Sequence, residues 1–232
     1  MGRPHPQVML VAAALATLVL FRLPLGGLLA YPLMLVGTLA HELGHGLTGL
    51  LVGRTFNELI IRYEGSGGAH TGGPASATIG RALTCAGGLL GPTIASVGCS
   101  LLARRVVTAR VGLIGAALGL GVVLLTVVHD VFTAIVVGSV AVACAVLGWW
   151  GRELARFGLS FLGVQLALQV FSRSDYLLVE QTRRGQLSDV ALIATSVGGV
   201  YWMWGLAIGA ISFLGLGIGL AVAWRGGSEE PG

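Results

Sequence analysis

Apolar runs of about 20 residues recur along this chain, separated by short stretches that hold most of its arginines. A run of that length is what a helix needs to cross a hydrocarbon layer, where backbone polar groups must be satisfied within the segment itself. Of 232 residues, 55% are apolar and 10% charged, against roughly a quarter charged in soluble domains. A soluble fold of this size has too little polar surface to cover such a chain, and a bilayer removes the need. The 38 glycines fit the same class, because small residues let membrane helices approach closely. The sequence therefore predicts an all-α integral membrane protein.

About seven apolar segments follow one another, giving about six to seven transmembrane helices. The first, about Gln7 to Leu23, follows Arg3 and reads as a retained membrane helix, since no small-residue cleavage site precedes the next run. The second runs from about Pro32 to Val52, with the proline suited to a first helical turn. After Gly53 and Arg54 the pattern changes. Thr55 to Tyr63 is β-branched and aromatic, a Gly-rich turn follows, and His70 to Gly73 returns, which predicts a short β-hairpin after the second helix.

Further spans cover Arg81 to about Ala103, closed by Arg104, Arg105 and Arg110, then Val111 to Val128, Val131 to Trp150 and Ala155 to Phe171. A polar linker precedes the last span, within about Tyr201 to Ala223. Residues 1–224 read as a single polytopic membrane domain and 225–232 as a polar C-terminal tail.

The net charge of +4 comes from arginine alone, scattered between the apolar runs, where arginines anchor helices at the interface. That distribution does not suggest nucleic-acid binding. Cys85, Cys99 and Cys144 are far apart in apolar stretches and read as small buried hydrophobes. No disulfide framework or cysteine zinc knuckle is implied.

The chemistry begins with His41-Glu42-Leu43-Gly44-His45 in the second segment. Histidines four apart lie one helical turn above each other on the same face, where both imidazoles can hold one Zn²⁺. Glu42 stands beside the first of them, within reach of a water at the metal, which is the general-base arrangement of metal-assisted peptide hydrolysis. Ionisable groups this deep in an apolar helix cost several kcal/mol unless compensated, and a zinc ion supplies compensation.

The segment TLAHELGHGLTGLLVG, the hairpin-like stretch after it and the small-residue AGGLLGP resemble the site-2 protease family of intramembrane zinc metalloproteases. The later Ser188-Asp189-Val190-Ala191 and Trp202-Met203-Trp204-Gly205 bring the chain closest to the compact peptidase M50B-like branch of that family. The resemblance implies a three-ligand catalytic zinc with His41 and His45 as ligands, Glu42 as base, and an aspartate from a later helix as third ligand. The main branch presents that aspartate in a Leu-Asp-Gly motif, and no Leu-Asp-Gly occurs here.

A catalytic zinc needs three protein ligands and one open position, so another residue must complete the set. Asp175, at the end of the sixth segment, is the first candidate, and Asp189, fourteen positions later, is the alternative. His129, Asp130 and His70 follow. Ser188-Asp189 also reads as a helix N-cap pair, and His129-Asp130 as a polar turn between spans. The expected function is hydrolysis of a peptide bond in or near a transmembrane segment of a membrane-protein or peptide substrate, in the cell membrane of a bacterium. A proteolytically inactive metal-binding scaffold and a small transporter-like bundle are the other readings.

Overall fold

The computed structural model describes residue 15 and residues 26–73, 78–172, 177–182 and 184–225. The first predicted segment, about Gln7 to Leu23, lies outside the described residues but for Leu15, as do Asp175 and the polar tail after Arg225. The described chain holds seven helices and one two-stranded antiparallel hairpin. In order these are α1 (Gly26–Leu51), β1 (Thr55–Ile61), β2 (Gly67–Gly72), α2 (Thr78–Leu102), α3 (Val106–Thr126), α4 (Val131–Trp150), α5 (Arg152–Ser172), α6 (Asp189–Val197) and α7 (Tyr201–Arg225).

Four helices, α2, α3, α4 and the Tyr201–Ala221 part of α7, are long and apolar enough to cross a membrane. Large apolar side chains such as Val107, Leu118, Leu125 and Val131 stand exposed along them. In water that surface would drive aggregation; in a bilayer it is the solvated face.

Helix boundaries depart from the sequence reading where local chemistry overrides hydropathy. Pro32 lies inside α1, six residues after Gly26, because the helix starts earlier than the proline. Membrane helices tolerate such an interior proline, since neighbouring groups take up the freed carbonyl. Arg110 belongs to α3, leaving Arg104 and Arg105 at the turn. Its Nε donates to the Gly148 carbonyl near the end of α4 at 2.9 Å, occupying one of the acceptors that a helix C-terminus leaves open. Arg156 is buried and does the same for Ala103, just past α2, at 3.3 Å.

The hairpin is fastened on three sides. Leu59 and Ile61 alternate onto one face of β1 and bury fully among Leu35, Leu39, Leu120, Val127, Val136 and Val137. The outer edge of β1 is occupied: Leu59 N–H donates to the Val127 carbonyl and Ile61 N–H to the Thr133 hydroxyl, both at 2.8 Å. The turn is tied to α1 by the Tyr31 hydroxyl, which donates to the Tyr63 carbonyl at 2.5 Å, and by Thr38 to the Gly65 carbonyl at 2.8 Å. Gly65 has φ +85°, a left-handed conformation that suits glycine. Among the described residues β2 pairs with no strand other than β1, and Arg54 donates to its Thr71 carbonyl at 3.2 Å.

α1 and α2 pack antiparallel with backbones almost in contact. A methyl group added at Gly44 would meet the Gly87 carbonyl oxygen, and one at Gly91 would meet the Ala40 carbonyl. Because the obstacle is backbone, a side-chain rotation cannot relieve it. Gly44→Ala should therefore lower the thermal midpoint in mild detergent, by an amount equivalent to about 1–3 kcal/mol for overpacking. Gly115→Ala in α3, where added carbon meets nothing within 4 Å, should leave the midpoint unchanged or slightly raised. Equal midpoints for the two variants would mean that the α1–α2 approach is not the tight point of the fold.

Candidate metal centre

His41, Glu42 and His45 stand in the second half of α1, and helical periodicity turns both imidazoles the same way. Their Nε2 atoms are 3.1 Å apart. The ring of His45 occupies the space that a side chain at position 88 would fill, so Gly88 of α2 is a seat for the imidazole, while its neighbour Gly87 makes room for Thr48. His45 Nδ1 lies 2.9 Å from the Thr84 carbonyl, one turn earlier on α2. A carbonyl can only accept, which puts the proton on Nδ1 and the lone pair on Nε2.

The third group comes from far along the chain. Asp189 Oδ2 lies 3.2 Å from His41 Nε2 and 3.4 Å from His45 Nε2. Asp189 is the first residue of α6, and the local structure before it explains its position. Ser188 is fully buried and caps α6, accepting from Ala191 N–H at 3.3 Å while its hydroxyl donates to the Val179 carbonyl at 2.6 Å. A bridge between Gln181 and Leu187 closes the loop ahead of it. One turn into α6, Ile193 buries against Ala82 and Cys85 of α2, which brings the start of α6 beside Thr84 and hence beside His45.

The three atoms suit a metal. Zinc–nitrogen and zinc–oxygen bonds of about 2.0–2.1 Å in tetrahedral geometry put neighbouring ligand atoms about 3.3 Å apart, close to the triangle seen here. Asp189 Oδ2 is buried without a hydrogen-bond partner, and a buried carboxylate oxygen in that condition is costly unless a cation meets it. Two imidazoles and a carboxylate are also the donor set of catalytic zinc sites, leaving a fourth position open. Among the described residues this trio is a group of His, Asp, Glu and Cys side chains close enough to share an ion.

Glu42 is buried, and Gly67 of β2 packs directly on its side chain. His41, Glu42, His45 and Asp189 line a cavity of about 900 Å³, of which β2 and the glycine after it, Gly73, form another wall.

Other residues singled out from the sequence go elsewhere. His129 is exposed, and Asp130 caps α4, accepting from Thr133 N–H at 2.8 Å. Burial alone would raise the Asp130 carboxyl, but the Thr133 hydrogen bonds and the backbone N–H of Phe132 outweigh it and hold the group below its ordinary value. His70 borders the cavity and pairs with Glu58 across the hairpin at 2.7 Å. Thr84 and Gly88, which hold and seat His45, are site residues that the sequence does not mark. The spacing of Gly-Gly in a helix one turn from a carbonyl-presenting residue carries too little signal alone.

A family model described as Peptidase M50B-like matches residues 9–219, most of the chain. No curated protein and no solved structure matches.

Asp189→Ala should lower zinc affinity by about tenfold to a hundredfold or more, measured by chelator competition on purified protein. Ser188→Ala should cost about 1 kcal/mol of stability as a lost cap and keep the metal. Unchanged affinity in the Asp189 variant would pass the ligand role to another residue, Asp175 first.

Proposed function

The chain belongs to the peptidase M50B-like family, intramembrane metalloproteases of the site-2 protease type, and on that premise we propose a specific reading of its site. The protein is a zinc endopeptidase that hydrolyses a peptide bond in or near a transmembrane segment of another membrane protein. His41, His45 and Asp189 hold the ion, and Glu42 is the base. The observation that carries this reading is the triangle of two Nε2 atoms and one carboxylate oxygen beside a buried glutamate, at a cavity walled by an open strand edge.

Bound there, zinc would supply Lewis acidity toward the scissile carbonyl and toward water. Glu42 takes the proton from the attacking water and delivers it to the leaving amine, two transfers that one carboxylate can make in turn. His45 is held in the required tautomer by the Thr84 carbonyl. The close seat of Gly67 against Glu42 limits the rotamers open to the carboxylate and keeps it at the cavity wall.

A transmembrane substrate arrives as a helix with its backbone groups paired internally, and a peptide bond within it is shielded. Cleavage requires local unwinding, and the unwound backbone then needs new partners in an apolar setting. β2 offers them: its partner strand β1 takes one side, and the side bordering the cavity is open to a further strand. The inactive-scaffold reading rests on the missing Leu-Asp-Gly. A carboxylate that reaches both histidines without that motif favours the hydrolytic reading.

Glu42→Gln keeps the shape of the side chain and cannot take a proton. Zinc content should stay at the wild-type level while cleavage of a membrane-segment substrate in proteoliposomes stops, a fall of at least about a hundredfold. A variant that holds zinc and cleaves at the wild-type rate would remove Glu42 from the base role and the proteolytic reading with it.

A further inference from the structure

Beyond the metal centre the cavity changes character, and its far end is cationic. α1 and α2 run antiparallel, so Arg54, just past the end of α1, and Arg81, in the first turn of α2, arrive at the same end. Both border the cavity. Arg54 gives one N–H to the Thr71 carbonyl at 3.2 Å, while its Nε is buried without a partner. Arg81 is exposed, and among the described residues neither arginine makes an ion pair. The described acids bordering the cavity are Glu42 and Asp189, both at the metal centre. Two guanidinium groups thus border one space, and no described carboxylate lies within ion-pair distance of either.

We propose that Arg54 and Arg81 form a subsite for a carboxylate side chain of the substrate, an Asp or Glu about six residues from the scissile bond. The spacing follows from β2, which starts with Gly67 against Glu42 and leads to Gly73 against Arg54. Six extended residues cover about 20 Å, and a substrate strand laid along that edge advances at the same rate. A planar guanidinium fork matches a carboxylate in two parallel hydrogen bonds. The subsite borders the same cavity as Glu42, which favours a group on the substrate over a lipid headgroup. It also lies at the ends of α1 and α2, where a charged residue flanking an apolar segment is tolerated. This inference rests on the proteolytic reading for what enters the cavity.

The test measures binding, so that it does not depend on turnover. Glu42→Gln protein in nanodiscs of zwitterionic lipid is titrated with synthetic membrane-segment peptides carrying a Gly-Asn break and, about six residues to either side of it, Asp or Asn. One Asp peptide should bind about tenfold more tightly than its Asn partner. The preference should shrink when Arg81→Gln is added and vanish when Arg54→Gln is added as well, with zinc content unchanged. If the Arg54 variant does not fold, Arg81→Gln decides, since that exposed side chain has no described partner to lose. Equal affinities for Asp and Asn peptides, or a preference that survives loss of both arginines, overturns the subsite. In parallel nanodiscs doped with phosphatidylglycerol, arginine-dependent retention of that lipid with equal peptide affinities gives the arginines to a headgroup phosphate and also overturns it. An Asp preference in a protein whose wild type cleaves none of the peptides leaves the subsite standing and removes the proteolytic reading instead.

Discussion

The close approach of α1 and α2 is the contact on which the rest of the centre depends. Glycine at 44, 87 and 91 lets the two backbones meet, and glycine at 88 leaves the space that the His45 ring fills. Only at that separation can His45 reach the Thr84 carbonyl and be held in one tautomer. In a bilayer little hydrophobic force pulls two helices together, so association rests on van der Waals fit and on polar groups that find partners across the seam. Here the fit and the polar contact are the same feature.

The candidate metal centre follows from that seam by a chain of local constraints. α6 has only nine residues, too short to span anything, and its place is set by Ile193 packing on Ala82 and Cys85 of α2 and by the buried cap at Ser188. Together they bring the first residue of α6 to the two histidines of α1. Asp189 is thus doubly used, standing in the first turn, where a negative charge suits the helix dipole, with its free oxygen directed at the imidazoles. Building a site on helix ends and a packed seam gives it rigidity that a loop alone would not supply.

The hairpin gives the centre its opening. A pair of strands inside a helical membrane protein is tolerated only where its backbone is covered or faces a cavity. One edge is covered, by Val127 and Thr133, and the other borders the cavity. Glycine at 67 lets β2 lie directly against Glu42 and Thr38 of α1, so the strand that walls the cavity is also what limits the room around the base.

Much of this was legible in the sequence, and the reason is periodicity. Apolar run lengths report helices that match a bilayer, β-branched alternation after Arg54 reports a strand, and His-x-x-x-His on a helix puts two imidazoles on one face whatever surrounds them. The return strand starts at Gly67, ahead of the His70 that the sequence predicts, because Gly67 and Gly68 look like turn and become strand only by pairing with Ile61 and Ile60. The third carboxylate was not legible in the same way. Asp175 and Asp189 both follow the sixth segment in the right order, and Ser188-Asp189 has the look of an ordinary cap, which in part it is. Which acid meets His41 and His45 depends on where α6 docks on α2, a contact between residues more than a hundred positions apart that no local pattern encodes. Asp175 lies outside the described residues, and Asp189 is the described carboxylate at ligand distance. The sequence by itself determined the membrane class and the paired histidines with their glutamate, because these depend on run length and helical repeat. The tertiary structure alone decided the carboxylate that joins them, the carbonyl that orients His45 and the arginines that share the cavity, because each is a distance between helices.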